Sequence, residues 1–529
     1  MRLTLVRALP LVLLAAGCAD HGAPHHYSRS GSDAGAAMGA PWGAPPAAPD
    51  EPEPGDRYEG VGTNPFVYAD HDPFSTFAAD VDTASYDIFV RDATDGRLPH
   101  PDSVRLEEYV NAFDYDYPAP AFDDEVPFAI DLSGGEHPFR PGIMQLRVGI
   151  QASTPPEFVQ LPTHLVFLVD VSGSMSASDK LPLARQVMLS SLEQLRANDT
   201  VSIVSYAGET SVRLPPTRVS DRAAIEGVVD RLTAGGGTAG GPGIQLAYEQ
   251  AEAGFIEGGF NHVVLMTDGD FNIGISDTTD LVSLIEEKRQ TGVTLTALGF
   301  GRGNLNDAMM EAVSNAGNGV YSVITSREHA MRYGAEDILH TAHFVAQDMK
   351  LQVEFNPDHV LAYRLLGYEN RAIADDDFTN DIVDAGEVGA GLRVTALYEV
   401  VLADQSVPMP DGAPEVTAGE PIEGERVVEP HELVRVRVRW KDLGAAEEDP
   451  AYETWAAITP EELAGPVEDD DFLWASSMAA LAEILKGNAY GDPEHLAGIQ
   501  SVVRAQAALS DERAALVRHL DRVSAMIAP

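Results

Sequence analysis

The chain has 529 residues, and its 83 Asp and Glu against 35 Lys and Arg give a formal net charge of −48. Such a charge repels nucleic acid and anionic membrane surfaces, and so argues against both as partners. The single cysteine, Cys18, excludes an intrachain disulfide and a cysteine-based metal site. A hydrophobic content of 44% suffices for sizeable cores, and the length predicts about two to four domains.

The first residues are typical of a bacterial secretion signal. Arg2 and Arg7 precede an apolar run at residues 8–16 that is too short to span a bilayer. Leu-Ala-Ala-Gly-Cys at residues 14–18 resembles a bacterial lipobox, which implies that Cys18 becomes the lipidated N-terminus. Cleavage by an ordinary signal peptidase, leaving a free thiol, is the alternative. We therefore predict a signal peptide at residues 1–17 and a lipid-anchored cell-envelope protein that faces the periplasm or the cell surface.

Three predicted segments follow the signal peptide. Residues 18–63 are acidic and rich in Pro and Gly, so they are predicted to form a disordered tether. Residues 64–120 show helical spacing at 85–95 and 102–112 and are predicted to form a small helical region. Residues 121–155 contain alternating apolar and polar residues, which predicts strands.

Residues 162–347 are predicted to form an α/β domain with a doubly wound, mainly parallel sheet, because strand and helix patterns alternate along them. The apolar run at 165–169 has no alternation and therefore predicts a strand buried on both faces. The other predicted strands lie at 201–206, 210–214 (an edge strand), 262–266 and 293–298. The predicted helices lie at 181–195, 221–232, 242–255, 279–288, 306–315 and 328–347.

Asp170, Ser172 and Ser174 directly follow the strand at 165–169, at positions i, i+2 and i+4. Oxygen-only ligands suit hard cations, and a loop at the carboxyl end of a parallel strand is where open α/β sheets bind ligands. The spacing therefore indicates a divalent-cation site at this end of the sheet.

The pattern Asp-x-Ser-x-Ser at 170–174 resembles the metal-ion-dependent adhesion site of von Willebrand factor type A (VWA) domains. The resemblance implies that Thr238, in a glycine-rich loop, supplies a third hydroxyl, and that Asp268 supplies a second carboxylate. It also implies a bound Mg²⁺, or Mn²⁺ or Ca²⁺, and a protein ligand that offers a carboxylate to the metal. The regions on either side resemble those that accompany the VWA domain in a group of bacterial lipoproteins.

After the α/β domain the hydrophobic period changes to two, which predicts antiparallel strands over residues 348–445. We expect these strands and those at 126–151 to form one β-sandwich into which the α/β domain is inserted, because a strand at 143–150 has too few partners alone. A row of arginines at 435, 437 and 439 either pairs with local carboxylates or meets an acidic partner. Residues 446–529 are predicted to be helical, with helices at 471–485 and 495–523.

Three functions remain open at this point. The first is a lipid-anchored module that binds a protein through a divalent cation. The second, a metal-assisted hydrolase, needs a general base such as histidine, and no histidine falls in the three site loops. The third, a nucleotide-binding module, needs a Gly-Lys-Ser/Thr sequence that the glycine-rich residues 235–243 lack. We expect a binding protein and no enzyme, with the partner unidentified.

Overall fold

A computed structural model describes residues 55–527, with gaps at 79–81, 123, 155–160, 237–242, 270–277, 341–343, 381–386, 419–425, 444, 446–448 and 466–468. The predicted signal peptide, Cys18 and most of the predicted tether lie outside the described residues, and so does Thr238. None of the helices in the described part combines the length and apolarity that crossing a bilayer requires.

The N-terminal region contains two strands as well as the two helices expected there. Its elements are β1 (Val67–Tyr68), β2 (Phe74–Ala78), α1 (Ala84–Thr94) and α2 (Leu106–Asn111). The folded part begins before residue 64, because the Arg57 N–H donates to the Leu305 carbonyl at 2.7 Å and the Arg57 carbonyl accepts from the Asp307 N–H at 3.1 Å. The tether therefore ends earlier than the predicted boundary at residue 63.

Two strands and the α/β domain come next. The strands are β3 (Phe128–Glu136) and β4 (Met144–Ala152). The first half of the α/β domain contains β5 (Thr163–Asp170), α3 (Leu181–Gln194), β6 (Thr200–Tyr206), β7 (Thr210–Arg218), α4 (Arg222–Arg231) and α5 (Gly243–Ala253). The second half contains β8 (Phe260–Thr267), α6 (Thr278–Arg289), β9 (Val293–Phe300), α7 (Asp307–Ala316), β10 (Tyr321–Ile324), α8 (Arg327–Arg332) and α9 (Ile338–His340).

The sheet of the α/β domain has the strand order β10-β9-β8-β5-β6-β7, parallel except for the edge strand β7. Every residue of β5 is buried, because its side chains enter two hydrophobic cores in turn. Leu165 and Phe167 pack toward α3 and α4, whereas Val166 and Leu168 pack toward α5 and α6. The doubly wound sheet is thus confirmed, and β10 is the one strand of this sheet that the sequence pattern did not predict.

The predicted helix at 328–347 is helical as far as residue 340 and is wrong at residues 344–347. Between α8 and α9 the chain forms a π-helical turn, Tyr333–Asp337, and β11 (Phe344–Phe355) begins where the helix was expected to continue. At the π turn, a Cβ added to Gly334 meets the Val187 carbonyl at 2.4 Å, so the backbone there lies directly on α3. Residues 344–347 pair with neighbouring strands, and this tertiary pairing overrides their local helical pattern.

The remaining strands are β12 (Val360–Leu366), β13 (Glu387–Gly389), β14 (Arg393–Leu402), β15 (Val434–Lys441) and β16 (Tyr452–Ile458). One sheet has the order β1-β12-β14-β4-β3, and the other has the order β13-β11-β15-β16 with β2 also paired to β11. The antiparallel ladder between β14 and β4 runs from Arg393 opposite Gln151 to Val400 opposite Met144. It joins segments on either side of the α/β domain, so the predicted insertion into a β-sandwich is observed.

The arginine row on β15 pairs locally, as the first of the two alternatives predicts. Arg435 forms an ion pair with Glu432 at 2.8 Å and lies over the Trp455 ring. Arg437 lies 3.8 Å from Glu453 and stacks on the ring of Phe378. These contacts account for two of the three arginines within the sandwich itself.

The C-terminal helices are α10 (Pro460–Leu463), α11 (Asp470–Lys486), α12 (Leu496–Gln506) and α13 (Asp511–Ile527). The single helix predicted at 495–523 is therefore two helices. The break lies at residues 507–510, where the Ser510 hydroxyl accepts from the Arg513 N–H at 3.1 Å and so satisfies a free donor of the new helix. Helices α11, α12 and α13 share one core with α1 and α2, in which Trp474 packs edge-on against Phe113, whereas Leu463 of α10 packs in the core of the sandwich.

Two buried histidines in the parallel sheet predict acid sensitivity. Burial lowers the pKa of His262 to about 3 and that of His164 to about 4, so both are neutral in the fold. The stability that these neutral histidines contribute to the fold is complete above the unfolded pKa of about 6.5. It is lost as the pH falls toward the pKa values of the folded state.

We expect His262→Asn to have a lower free energy of unfolding than the wild type at pH 7. The difference between the two proteins is expected to shrink by on the order of 3 kcal/mol at pH 4. Urea unfolding at the two pH values measures the gap, and His71→Asn at an exposed position is the control. A gap that does not change with pH contradicts the prediction.

Candidate metal site

The carboxyl end of β5 places one carboxylate and two hydroxyls in a tight turn. The Ser172 N–H donates to Asp170 Oδ1 at 2.8 Å, which fixes the carboxylate at the start of the loop. A 3₁₀ helix, Gly173–Ser176, then folds the chain back, and the Ser172 and Ser174 Oγ atoms lie 2.8 Å apart. The spacing read from the sequence thus brings all three side chains to one point.

The parallel pairing of β5 with β8 brings the second carboxylate to the same edge. Val169 is paired with Met266, so the next residues along the two strands, Asp170 and Thr267, are adjacent. The Thr267 hydroxyl donates to Asp170 Oδ2 at 3.3 Å, and Asp268 follows it. Both carboxylates are fully buried. Burial, followed by the charge of Asp268, raises the pKa of Asp170 to about 6.

The glycine-rich loop lies against the first loop. The Gly235 N–H donates to the Val171 carbonyl at 2.9 Å, and the Gly236 carbonyl accepts from the Gly173 N–H at 3.2 Å. Gly236 has a φ of +91°, a value that a residue with a side chain rarely adopts. The glycine-rich segment is therefore in contact with the Asp-x-Ser-x-Ser loop as far as residue 236. Thr238 itself is not described, so its role stays a prediction.

Lys180, which the sequence analysis did not single out, completes the described site. Its Nζ donates to Asp268 Oδ2 at 2.8 Å, and only 8% of its side chain is exposed. Its position between the Asp-x-Ser-x-Ser loop and the first helix is the sequence signal that could have identified it as a site residue. Its partner could not be identified from sequence, because Asp268 is distant along the chain.

The loop from β9 to α7 forms the wall behind Asp268. Asn304 Nδ2 donates to Asp268 Oδ2 at 3.4 Å, and a Cβ added to Gly269 meets the Leu305 Cα at 2.4 Å. Asp56 holds this loop from outside, because its Oδ1 accepts from the N–H groups of Gly303 at 2.7 Å and Leu305 at 3.1 Å. The last part of the predicted tether therefore folds against the site and helps to support it.

The donor set suits a hard divalent cation. Asp170, Ser172, Ser174 and Asp268 offer only carboxylate and hydroxyl oxygens, the ligand type that Mg²⁺, Mn²⁺ and Ca²⁺ prefer. Among the described residues, no three His, Cys, Asp or Glu side chains cluster as a metal site. A cation here therefore depends on the hydroxyls in addition to the two carboxylates.

The histidine of β8 is not one of these donors. His262 is fully buried within the strand, and its Nδ1 lies 2.7 Å from the Thr294 hydroxyl.

The sheet order and the loops at its carboxyl edge define a VWA domain, and family comparison agrees. Residues 164–332 match the von Willebrand factor type A domain family, and residues 52–147 match a second family described as von Willebrand factor. Residues 340–526 match the family described as the C-terminal domain of the uncharacterized protein YfbK. The chain is therefore a VWA-domain protein that also carries a YfbK C-terminal domain.

Individual relatives extend this assignment. The chain is 40% identical over 355 residues to the uncharacterized protein YfbK of Escherichia coli strain K12, an alignment that covers 66% of this chain and 62% of the relative. It is 28% identical over 187 residues to the uncharacterized protein sll0103 of Synechocystis, covering 35% of this chain and 43% of that one. The chain thus spans less than two thirds of the length of either relative.

Among solved structures, a von Willebrand factor type A protein from Catenulispora acidiphila aligns over 78% of this chain and 88% of its own, with 18% identity and a TM-score of 0.38.

Proposed function

We propose that this chain is a lipid-anchored protein of the bacterial cell envelope whose VWA domain binds a protein partner through a divalent cation. The proposed ligands are Asp170, Ser172, Ser174, Thr238 and Asp268. The observation that carries the proposal is the meeting of two buried carboxylates with two hydroxyls at the carboxyl edge of the sheet. Two like charges buried side by side repel each other, and a cation between them removes that cost.

The bound ion supplies a positive charge and an open coordination position. Mg²⁺ prefers six oxygen ligands, and the protein offers fewer, so water or a carboxylate of the partner completes the set. Mn²⁺ and Ca²⁺ accept the same donors. We propose binding rather than catalysis, because histidine is the commonest general base, and the two histidines of the central strands are buried and hydrogen-bonded to Ser202 and Thr294 instead.

The anchor belongs to the same proposal. Lipidation of Cys18 attaches the chain to the membrane, and the tether separates the folded part from the lipid. Residues 56 and 57, where the tether meets the folded part, contact the loop behind Asp268. The membrane is then contacted through the N-terminal lipid only, and the VWA domain is free to face a protein partner.

Metal removal tests the cation directly. Full-length protein treated with EDTA and then titrated with MnCl₂ or MgCl₂ is expected to give a saturable heat of binding and to rise in Tm, because an ion that binds only the folded state stabilises it. The apparent free energy of unfolding rises by about 2.7 kcal/mol when the concentration of the free ion is a hundred times its Kd. NaCl at equal ionic strength is the control. Equal Tm values in EDTA, MnCl₂ and MgCl₂ contradict the proposal.

A further inference from the structure

We infer that Lys180 is a built-in counter-cation of the metal site, which weakens its affinity for the divalent ion and makes the loaded site prefer an anionic ligand. The inference rests on the proposed function, since it concerns the same site. It starts from a contact that the Asp-x-Ser-x-Ser pattern does not include, the 2.8 Å hydrogen bond from Lys180 Nζ to Asp268 Oδ2.

The ammonium group is held in place by its surroundings. Gly301 has a φ of +69°, and a Cβ added there meets Cε of Lys180 at 2.5 Å and Cγ at 2.6 Å, so the stem lies directly on the Gly301 backbone. The Lys180 N–H donates to the Ala177 carbonyl at 3.2 Å, and its own carbonyl accepts from the first turn of α3. Because stem and backbone are both fixed, the charge stays beside Asp268 instead of moving into solvent.

The formal charges show what this contact does. Asp170 and Asp268 carry two negative charges, and Lys180 reduces the net charge of the group to one negative. A divalent ion then makes the site positive by one unit, whereas without Lys180 the loaded site is neutral. In a buried site with a low effective dielectric constant, the positive charge of Lys180 opposes entry of the divalent ion. Once the ion is bound, the same charge attracts a carboxylate to the open coordination position.

Lys180→Met in the full-length protein tests both effects, since methionine keeps much of the stem and removes the charge. By calorimetry with MnCl₂ alone, the Kd for Mn²⁺ is expected to fall by about tenfold relative to the wild type, as removal of one nearby like charge predicts. Acetate added to the Mn²⁺-saturated proteins is expected to raise the Tm of the wild type more than that of Lys180→Met. A purely structural role for Lys180 predicts weaker Mn²⁺ binding instead.

Two further variants keep the test decisive. Lys180→Arg retains the charge and is expected to bind Mn²⁺ with a Kd close to that of the wild type. Lys288→Met, which breaks the ion pair with Glu252 on other helices of the same domain, is expected to change neither measurement. If Lys180→Met fails to fold in EDTA, judged by circular dichroism, Lys180→Gln replaces it.

The outcomes separate the inference from the proposed function. Equal or weaker Mn²⁺ binding by Lys180→Met, with clear binding by the wild type, overturns the role of Lys180 and leaves the metal site standing. Absence of Mn²⁺ binding by every variant and by the wild type overturns both.

Discussion

Asp170→Ala is expected to weaken binding of Mg²⁺ or Mn²⁺ by at least about a hundredfold, since even groups that only support metal ligands commonly account for ten- to hundredfold. The change removes one of the two anionic donors, and the neutral hydroxyls that remain beside Asp268 compete poorly with water for the ion. Calorimetry with each metal measures the loss. Partner binding, once a partner is known, is expected to fail with it.

The fold itself is expected to persist in Asp170→Ala. The β5 strand is held by apolar side chains on both faces, and these cores carry most of the stability of a domain of this size. Thr238→Ala, which removes a neutral hydroxyl, is expected to weaken metal binding less. Asp230→Ala, at an exposed ion pair with Arg185, is the matched control. Unchanged metal binding by Asp170→Ala shows that the site is not the one proposed.

The largest loss of stability is expected from Arg364→Ala, at about 3–5 kcal/mol, because two buried carboxylates are then left with Arg140, among the described residues, as the one arginine known to pair with both. Arg364 donates to Glu399 at 2.8 Å and to Glu483 at 2.7 Å, and its guanidinium lies 3.7 Å from the centre of the Tyr490 ring. Glu399 belongs to β14 and Glu483 to α11, so one side chain joins the sandwich to the C-terminal helices.

The same cluster predicts a pH dependence. Burial alone would raise the pKa of Glu399, but Arg364 and Arg140 outweigh it and hold that pKa below its ordinary value. Stability from this group is therefore present above about pH 4.5 and is lost as the pH falls through the lower folded pKa.

Urea unfolding of the wild type and Arg364→Ala at pH 7 measures the expected loss. Arg222→Ala removes a surface pair with Glu226 and is expected to cost at most about 1 kcal/mol. A loss of that small size for Arg364→Ala shows that the buried network contributes little.

The amino-acid sequence determined the parts of this protein that depend on local pattern. Apolar runs without alternation identified the parallel strands, and the positions of Asp170, Ser172 and Ser174 after such a run indicated a cation site at the carboxyl edge. The sequence could do this because strand burial and turn composition are recorded within a few neighbouring residues. Alternation on both sides of the VWA domain also predicted the shared sandwich, because unpaired strands need partners.

The tertiary structure decided what depends on contacts distant in sequence. Residues 344–347 are in a strand because β13 and β15 pair with them, although their local pattern is helical. Asp56 belongs to the folded part because the N–H groups of Gly303 and Leu305 and the guanidinium of Arg91 lie beside it. Lys180 is next to Asp268 because parallel strands end at one edge. Pairing energies of this kind are absent from any short window of sequence, since the partners meet only when the chain folds.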